Sequence, residues 1–253
     1  MINSTKTSPV ALVTGAGRGI GAGCARALAS AGFRVALMSP SERSTALARE
    51  LKGIGRQGSV LSADDINALV SDALDAYGRI DAAVYNMGHG GGVPRQITEI
   101  GYDPDAEEPL LELDDQLWHD SLDMYVLGVV RLARAVTPIM ERQGGGAIVA
   151  ISSLNAVEPR PQYPMSALRG TLHVFVKAFA DRYAPSNVRM NALMPGFCEN
   201  VELSKEAMRR IPMQRRARFD EIGQACVFLA SEASSYMTGQ CLLVDGGVNR
   251  AVG

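Results

Sequence analysis

The chain has 253 residues, 47% of them hydrophobic and 21% charged, with a formal net charge of −2. That profile fits one large α/β domain and gives no electrostatic reason to expect nucleic acid or an anionic membrane as partner. No apolar run is long enough to span a bilayer, and residues 1–9 are polar without an apolar signal core, so a cytoplasmic protein is expected. Cys24, Cys198, Cys226 and Cys241 lack paired spacing and read as buried thiols of a reducing compartment. The three histidines are equally scattered, so no metal site is expected.

In chain order, residues 10–13 form a short apolar run that reads as a buried parallel strand. The glycine-rich stretch Thr14-Gly15-Ala16-Gly17-Arg18-Gly19-Ile20-Gly21 follows, and a helical pattern covers residues 21–30. Strand, glycine turn and helix together are the context that makes a nucleotide-binding turn credible. Gly15 permits a sharp turn, Gly19 and Gly21 clear space for a pyrophosphate or the next strand, and the helix N-terminus offers free N–H groups to phosphate. A second strand, 34–38, ends at Ser39-Pro40. Helical patterns follow at 46–51 and 66–77, and a strand at 81–85 ends at Asn86-Met87-Gly88.

Residues 89–113 are long for a β–α loop and rich in glycine, proline and acid, so they read either as a functional loop over the site or as a solvated insertion. A helical pattern at 114–141 leads to a strand at 147–152, which runs into Ser153. Another helix, 165–184, precedes a strand at 188–194 that stops at Pro195-Gly196. A helix at 219–230 and a strand at 241–244, closed by Asp245-Gly246-Gly247, complete the chain. This alternation predicts a Rossmann-like, doubly wound parallel sheet in one domain over residues 1–253. Ligands of such sheets lie beyond the carboxyl ends of the strands, which singles out Gly15, Ser39, Asn86, Ser153 and Gly196.

The segments Thr14–Gly21, Asn86-Met87-Gly88, Ile151-Ser152-Ser153, the helix from Met165, Asn191 through Pro195-Gly196, and Val244-Asp245-Gly246-Gly247 carry a resemblance. In this order and at these intervals the chain resembles the short-chain dehydrogenase/reductase family over nearly its whole length. The resemblance implies a nicotinamide cofactor, hydride transfer, and a homodimer or homotetramer. It further implies an Asn, a Ser, a Tyr and a Lys at the reaction centre, the Tyr exchanging the proton and the Lys, one helical turn later, holding the nicotinamide ribose.

Against that pattern, Ser153 matches the Ser, but Met165 falls on the Tyr position, Arg169 on the Lys position and Tyr125 on the Asn position. Methionine cannot exchange protons. Arginine stays charged, yet its fork can still hydrogen-bond a ribose and place positive charge near an oxyanion. Leu168, Leu172, Phe175, Val176 and Phe179 form the expected buried stripe, leaving Met165 and Arg169 on another face. Tyr163, Tyr125, His89 or water are the alternative proton sources. Ser153, Tyr163 and Arg169 are the expected catalytic set.

The residues expected to hold the cofactor are Gly15, Arg18, Gly19, Ile20, Gly21, Ser39, Asn86, Gly88, Arg169, Pro195 and Gly196. Ser39 stands where NAD users commonly carry an Asp, and Arg18 and Arg43 lie near, which favours NADP over NAD. The stretch Ser62-Ala63-Asp64-Asp65 looks shortened where adenine rests in the family. Three readings follow: an atypical NAD(P)-dependent oxidoreductase acting on a small carbonyl or activated alkene, a catalytically silent nucleotide-binding protein, or a non-redox lyase or isomerase reusing the pocket.

Overall fold

The computed structural model describes residues 8–87, 111, 114–159 and 166–251. Seven parallel strands form one sheet in the order β3-β2-β1-β4-β5-β6-β7. They are β1 (Val10–Thr14), β2 (Arg34–Ser39), β3 (Ile54–Gln57), β4 (Ala82–Tyr85), β5 (Gly146–Ile151), β6 (Val188–Pro195) and β7 (Cys241–Val244). The helices described are α1 (Gly19–Ser30), α2 (Arg43–Glu50), α3 (Ala63–Tyr77), α4 (Asp115–Leu122), α5 (Gly128–Gln143), α6 (Ser166–Tyr183), α7 (Lys205–Arg209) and α8 (Phe219–Ala230). The expected doubly wound sheet is the observed one.

Strand side chains alternate between two apolar layers, as the period of two requires. Leu12, Met38, Tyr85, Ile148 and Ala150 face one layer, which α3, α5 and α6 cover with Leu69, Leu132 and Val176. Val13, Leu37, Val84, Val149 and Ile151 face the other, closed by α1 and α8 through Leu28, Ile222 and Leu229. Both faces being covered explains why the strands read as unbroken apolar runs.

Three departures from the sequence pattern have local causes. Strand β3 went unforeseen because Ile54-Gly55-Arg56-Gln57 has no apolar run; it is a half-exposed edge strand, and Arg56 pairs with Asp72 at 2.8 Å. The long helix at 114–141 is not uniform. Asp114 caps α4 by accepting the Leu117 N–H at 2.7 Å, then residues Asp123–Leu127 widen into a π-helical turn before α5. Of the predicted stripe on α6, Leu172, Val176 and Phe179 are fully buried, while Leu168 and Phe175 pack at its margin.

The expected long loop at 89–113 lies, apart from Leu111, outside the described residues. No helix among the described residues is long and apolar enough to cross a membrane. Among them, no cluster of His, Cys, Asp or Glu side chains is placed to hold a metal ion. Cys24, Cys198 and Cys226 are buried and Cys241 partly so, all as free thiols.

Candidate active site

The strand order reverses direction between β1 and β4, and that crevice is where a doubly wound sheet binds its ligand. The two strands are locked together there. The Thr14 hydroxyl donates to the Asn86 carbonyl at 2.8 Å and accepts the Asn86 N–H at 3.0 Å. The Asn86 side-chain amide in turn donates to the Gly15 carbonyl at 3.1 Å. All of this is buried, so the polar groups of the crevice floor are satisfied internally and the turn is held rigid.

Gly15 and Gly19 both have φ of +59°, a left-handed conformation that side chains resist. Gly21 is needed for a different reason. A Cβ there would lie 2.2 Å from the Gly15 carbonyl oxygen and 2.6 Å from the Asn86 amide nitrogen. A Cβ on Gly17 would meet the Ser39 hydroxyl at 2.8 Å and the Arg43 Cβ at 3.1 Å, which places the end of β2 and the start of α2 directly beside the turn. Helix α1 begins at Gly19 with no acidic residue in its first turn and no side-chain cap from Arg18. Its terminal N–H groups and dipole therefore remain suited to an anion.

These features fit a dinucleotide. The glycine cradle and the α1 N-terminus would hold its pyrophosphate. Ser39, whose hydroxyl donates to the Ser41 carbonyl at 2.9 Å, and Arg43 stand where the adenosine ribose would lie, with no carboxylate at the strand end. The segment before α3 is a tight turn in which Ser62 caps the helix by accepting the Asp65 N–H at 3.1 Å, and Asp65 accepts the Ser59 N–H at 2.8 Å. At the far side, Pro195 ends β6 opposite Val244, and a Cβ on Gly196 would strike the Asp245 Cα at 2.7 Å.

The reaction side is built from β5, α6 and the π-helical turn. Ser153 follows the end of β5, half-buried, its hydroxyl accepting the Asn155 N–H at 3.2 Å. The Arg169 guanidinium donates to the Ile151 carbonyl at 3.2 Å and lies over the Tyr125 ring, 4.3 Å from its centroid. Burial lowers the Arg169 pKa, and the Tyr125 and Tyr85 phenols oppose that shift, so the cation is desolvated and rests on the Tyr125 ring.

Tyr85 explains the local helix geometry. Its hydroxyl donates to the Met124 carbonyl and runs so close over α5 that a Cβ on Gly128 would lie 2.0 Å from it. The π-helical turn, a widening often found at functional sites, carries Tyr125 onto Arg169. Burial raises the Tyr85 pKa well above the ordinary phenol range, and its hydroxyl is committed to the Met124 carbonyl.

A family model described as enoyl-(acyl carrier protein) reductase matches residues 15–249. The chain belongs to the short-chain dehydrogenase/reductase family. Among relatives, the 3-oxoacyl-[acyl-carrier-protein] reductase FabG of Staphylococcus aureus is 31% identical over 96% of this chain and 99% of its own. The cis-4-hydroxycyclohexanecarboxylate dehydrogenase of Sinomonas cyclohexanicum is 33% identical over 94% and 95%. Among solved structures, the TT0495 protein of Thermus thermophilus superposes with a TM-score of 0.81 at 31% identity, covering 95% of this chain and 98% of that one.

Within this short-chain dehydrogenase/reductase, Gly15, Gly19, Ile20, Gly21, Ser39, Asn86, Pro195 and Gly196 gather at the carboxyl edge of the sheet with Arg18 at the start of α1. Ser153 and Arg169 meet the same edge from β5 and α6. Gly88, His89, Tyr163 and Met165 lie outside the described residues. Sequence reasoning missed His173, whose Nε2 lies 2.8 Å from the Ser152 hydroxyl. Its signal was its position four residues after Arg169, hence on the same face of α6.

Proposed function

We propose that this short-chain dehydrogenase/reductase is an NADP(H)-dependent oxidoreductase that reduces a small carbonyl or activated-alkene substrate with a non-standard proton source. In this reading Met165 and Arg169 occupy the family's Tyr and Lys positions. The observation that carries it is the intact crevice, in which Thr14, Gly15, Gly21 and Asn86 interlock beneath an uncapped helix N-terminus. A bound nicotinamide dinucleotide supplies the hydride.

The chain's own residues do the rest. Ser153 orients the substrate oxygen by donating its hydroxyl hydrogen. Arg169 contributes a desolvated positive charge that favours a developing oxyanion and reaches toward the nicotinamide ribose. Tyr163 is the proposed proton donor, with Tyr125 and His89 as the other groups to test; for an alkene, water also suffices, because the proton goes to carbon after the hydride has moved. Ser39 and Arg43 favour a 2′-phosphate because a carboxylate is missing at the end of β2 and the Arg43 side chain starts beside Gly17, with a cation available at its end.

A second reading has a specific observation in its favour. Arg169 is already engaged by the Ile151 carbonyl and the Tyr125 ring. A guanidinium so committed suits a protein that binds the nucleotide and does not turn it over.

The test is a titration with NADPH and with NADH, followed by Trp118 fluorescence and by calorimetry, and then a screen of carbonyls and enones. Micromolar or tighter binding of NADPH with consumption of a substrate supports the proposal. Binding without turnover of any substrate supports the silent reading. Conversion that needs no nucleotide points to a lyase or isomerase, and absence of binding refutes both nucleotide readings.

A further inference from the structure

Helix α6 touches the end of β5 at two successive residues. Arg169 donates to the carbonyl of Ile151, and His173, one turn along the same face, meets the hydroxyl of Ser152 at 2.8 Å. Ser152 is itself pinned on the other side, its N–H donating to the Leu193 carbonyl of β6 at 2.8 Å. The next residue is Ser153. Strand β5 has already ended, so Ser153 has no ladder partner; its local restraint is a turn in which its hydroxyl accepts the Asn155 N–H and its carbonyl accepts the Ala156 N–H at 3.1 Å.

We propose that His173, acting through Ser152, is a positioning residue that fixes the placement of Ser153 relative to α6. The proposal rests on the reading of Ser153 as the group that orients the substrate oxygen, and it names what holds that group in place. Core packing through Leu172, Val176 and Phe179 seats α6 on the sheet, and two polar anchors one helical turn apart tie its upper end to successive residues at the end of β5. A hydrogen bond between a half-buried ring and a buried hydroxyl also selects one orientation, because the unpaired alternative leaves a polar group without a partner.

The imidazole is suited to this as a neutral ring. Burial first, and the neighbouring Arg169 cation second, lower its pKa. Of the other charged or titratable groups on elements packed against it, Lys177 is tied to Asp181, Asp123 to Arg131, and Arg189 to the carbonyls that end α8; Tyr125 lies under Arg169. No carboxylate among the described residues is placed to favour the protonated ring. Protonation would put a second cation beside Arg169 and leave Nε2 able only to donate.

The experiment is a pH titration of the folded protein by nuclear magnetic resonance, following the His173 ring and the backbone amides of Ser153 and Asn155, with Val149 as a core reference. The Ser153 and Asn155 amides are expected to shift with the same midpoint as the ring while Val149 stays still. In His173→Gln, which keeps a hydrogen-bonding partner for Ser152, the two amides should sit near their wild-type positions and lose the titration. In Ser152→Ala the ring midpoint should move and the coupling vanish. Amides that ignore the ring's titration in the wild type overturn the proposal, as does an unchanged titration in Ser152→Ala. Neither outcome depends on substrate or nucleotide, so failure here is separable from failure of the proposed activity. Once a substrate is found, His173→Leu should lower kcat with KM little changed, and His173→Gln should restore it.

Discussion

Gly21→Ala tests the crevice most directly. The added methyl would sit 2.2 Å from the Gly15 carbonyl oxygen and 2.6 Å from the Asn86 amide, where ordinary contact begins near 3.4 Å. The obstruction on one side is backbone and on the other a buried side chain that holds that backbone, so the strain cannot be relieved by swinging a flexible chain end. Overpacking of this kind costs about 1–3 kcal/mol, and displacing the Asn86 amide from Gly15 adds about 1–3 kcal/mol for a buried donor left unpaired. A total near 3 kcal/mol corresponds to a fall in melting temperature of roughly 6–12 °C for a chain of this size. Because the distortion falls on the turn that would hold the pyrophosphate, NADPH affinity should drop at least about tenfold, the equivalent of 1.4 kcal/mol. Differential scanning fluorimetry gives the first number and calorimetric titration the second. A variant that melts with the wild type and binds NADPH with unchanged affinity would refute the geometry described for the turn.

Other changes should read out separately. Gly170→Ala, in the interior of α6 with no atom of the described residues within 4 Å of the new methyl, should stabilise by about 0.5–1 kcal/mol, seen as a raised denaturation midpoint in urea. Arg43→Ala should weaken NADPH binding severalfold while leaving NADH binding unchanged; equal losses for both would remove Arg43 from the 2′-phosphate site. Because the folded-state pKa of His173 lies below its ordinary 6.5, the unfolded chain takes up a proton first as pH falls; this contribution to stability is complete above about 6.5 and is lost on acidification through the window beneath it. The melting temperature should therefore fall more between about pH 7 and 5 in the wild type than in His173→Gln. Burial pushes the Cys198 thiol up to about 12, so alkylation at pH 8 should require unfolding, and rapid labelling of the native protein would contradict its placement.

The cofactor half was legible because its constraints are local. A left-handed turn demands glycine, a buried parallel strand demands an apolar run, and Asn86 sits at a strand end that the alternation itself locates. The reaction half depends on contacts between residues 18 to 44 positions apart, such as Arg169 on Ile151 and on Tyr125, and periodicity carries no record of these. Tyr125 could be weighed as a phenol from sequence, but that it lies under Arg169 follows from the π-helical turn, and that turn accompanies Tyr85 crowding Gly128. Strand β3 and the Ser152–His173 pair escaped for related reasons. One lacks apolar content and is held by its neighbour strand; the other pairs a serine and a histidine that each look ordinary alone.

The position of Arg169 narrows what this site can do. A lysine ammonium is a compact point charge on a flexible stem, whereas a guanidinium is planar and fixes its donors in a fork. Here one edge of that fork is spent on the Ile151 carbonyl and one face on the Tyr125 ring, so only the remaining donors are left for a ribose or a substrate oxygen. Such a group offers fixed positive charge and no exchangeable proton near neutral pH. Reduction of a polarised alkene needs just that: charge to stabilise an enolate-like oxygen, with the proton delivered later to carbon from solvent. Reduction of a ketone needs a proton on oxygen as the hydride arrives, and among the described residues that would fall to the Ser153 hydroxyl, held in the turn with Asn155, or to the Tyr125 phenol, whose ring lies under Arg169. An enone should therefore be turned over faster than the matching saturated ketone. A preference for the ketone, abolished by Tyr163→Phe, would instead assign the proton to that phenol.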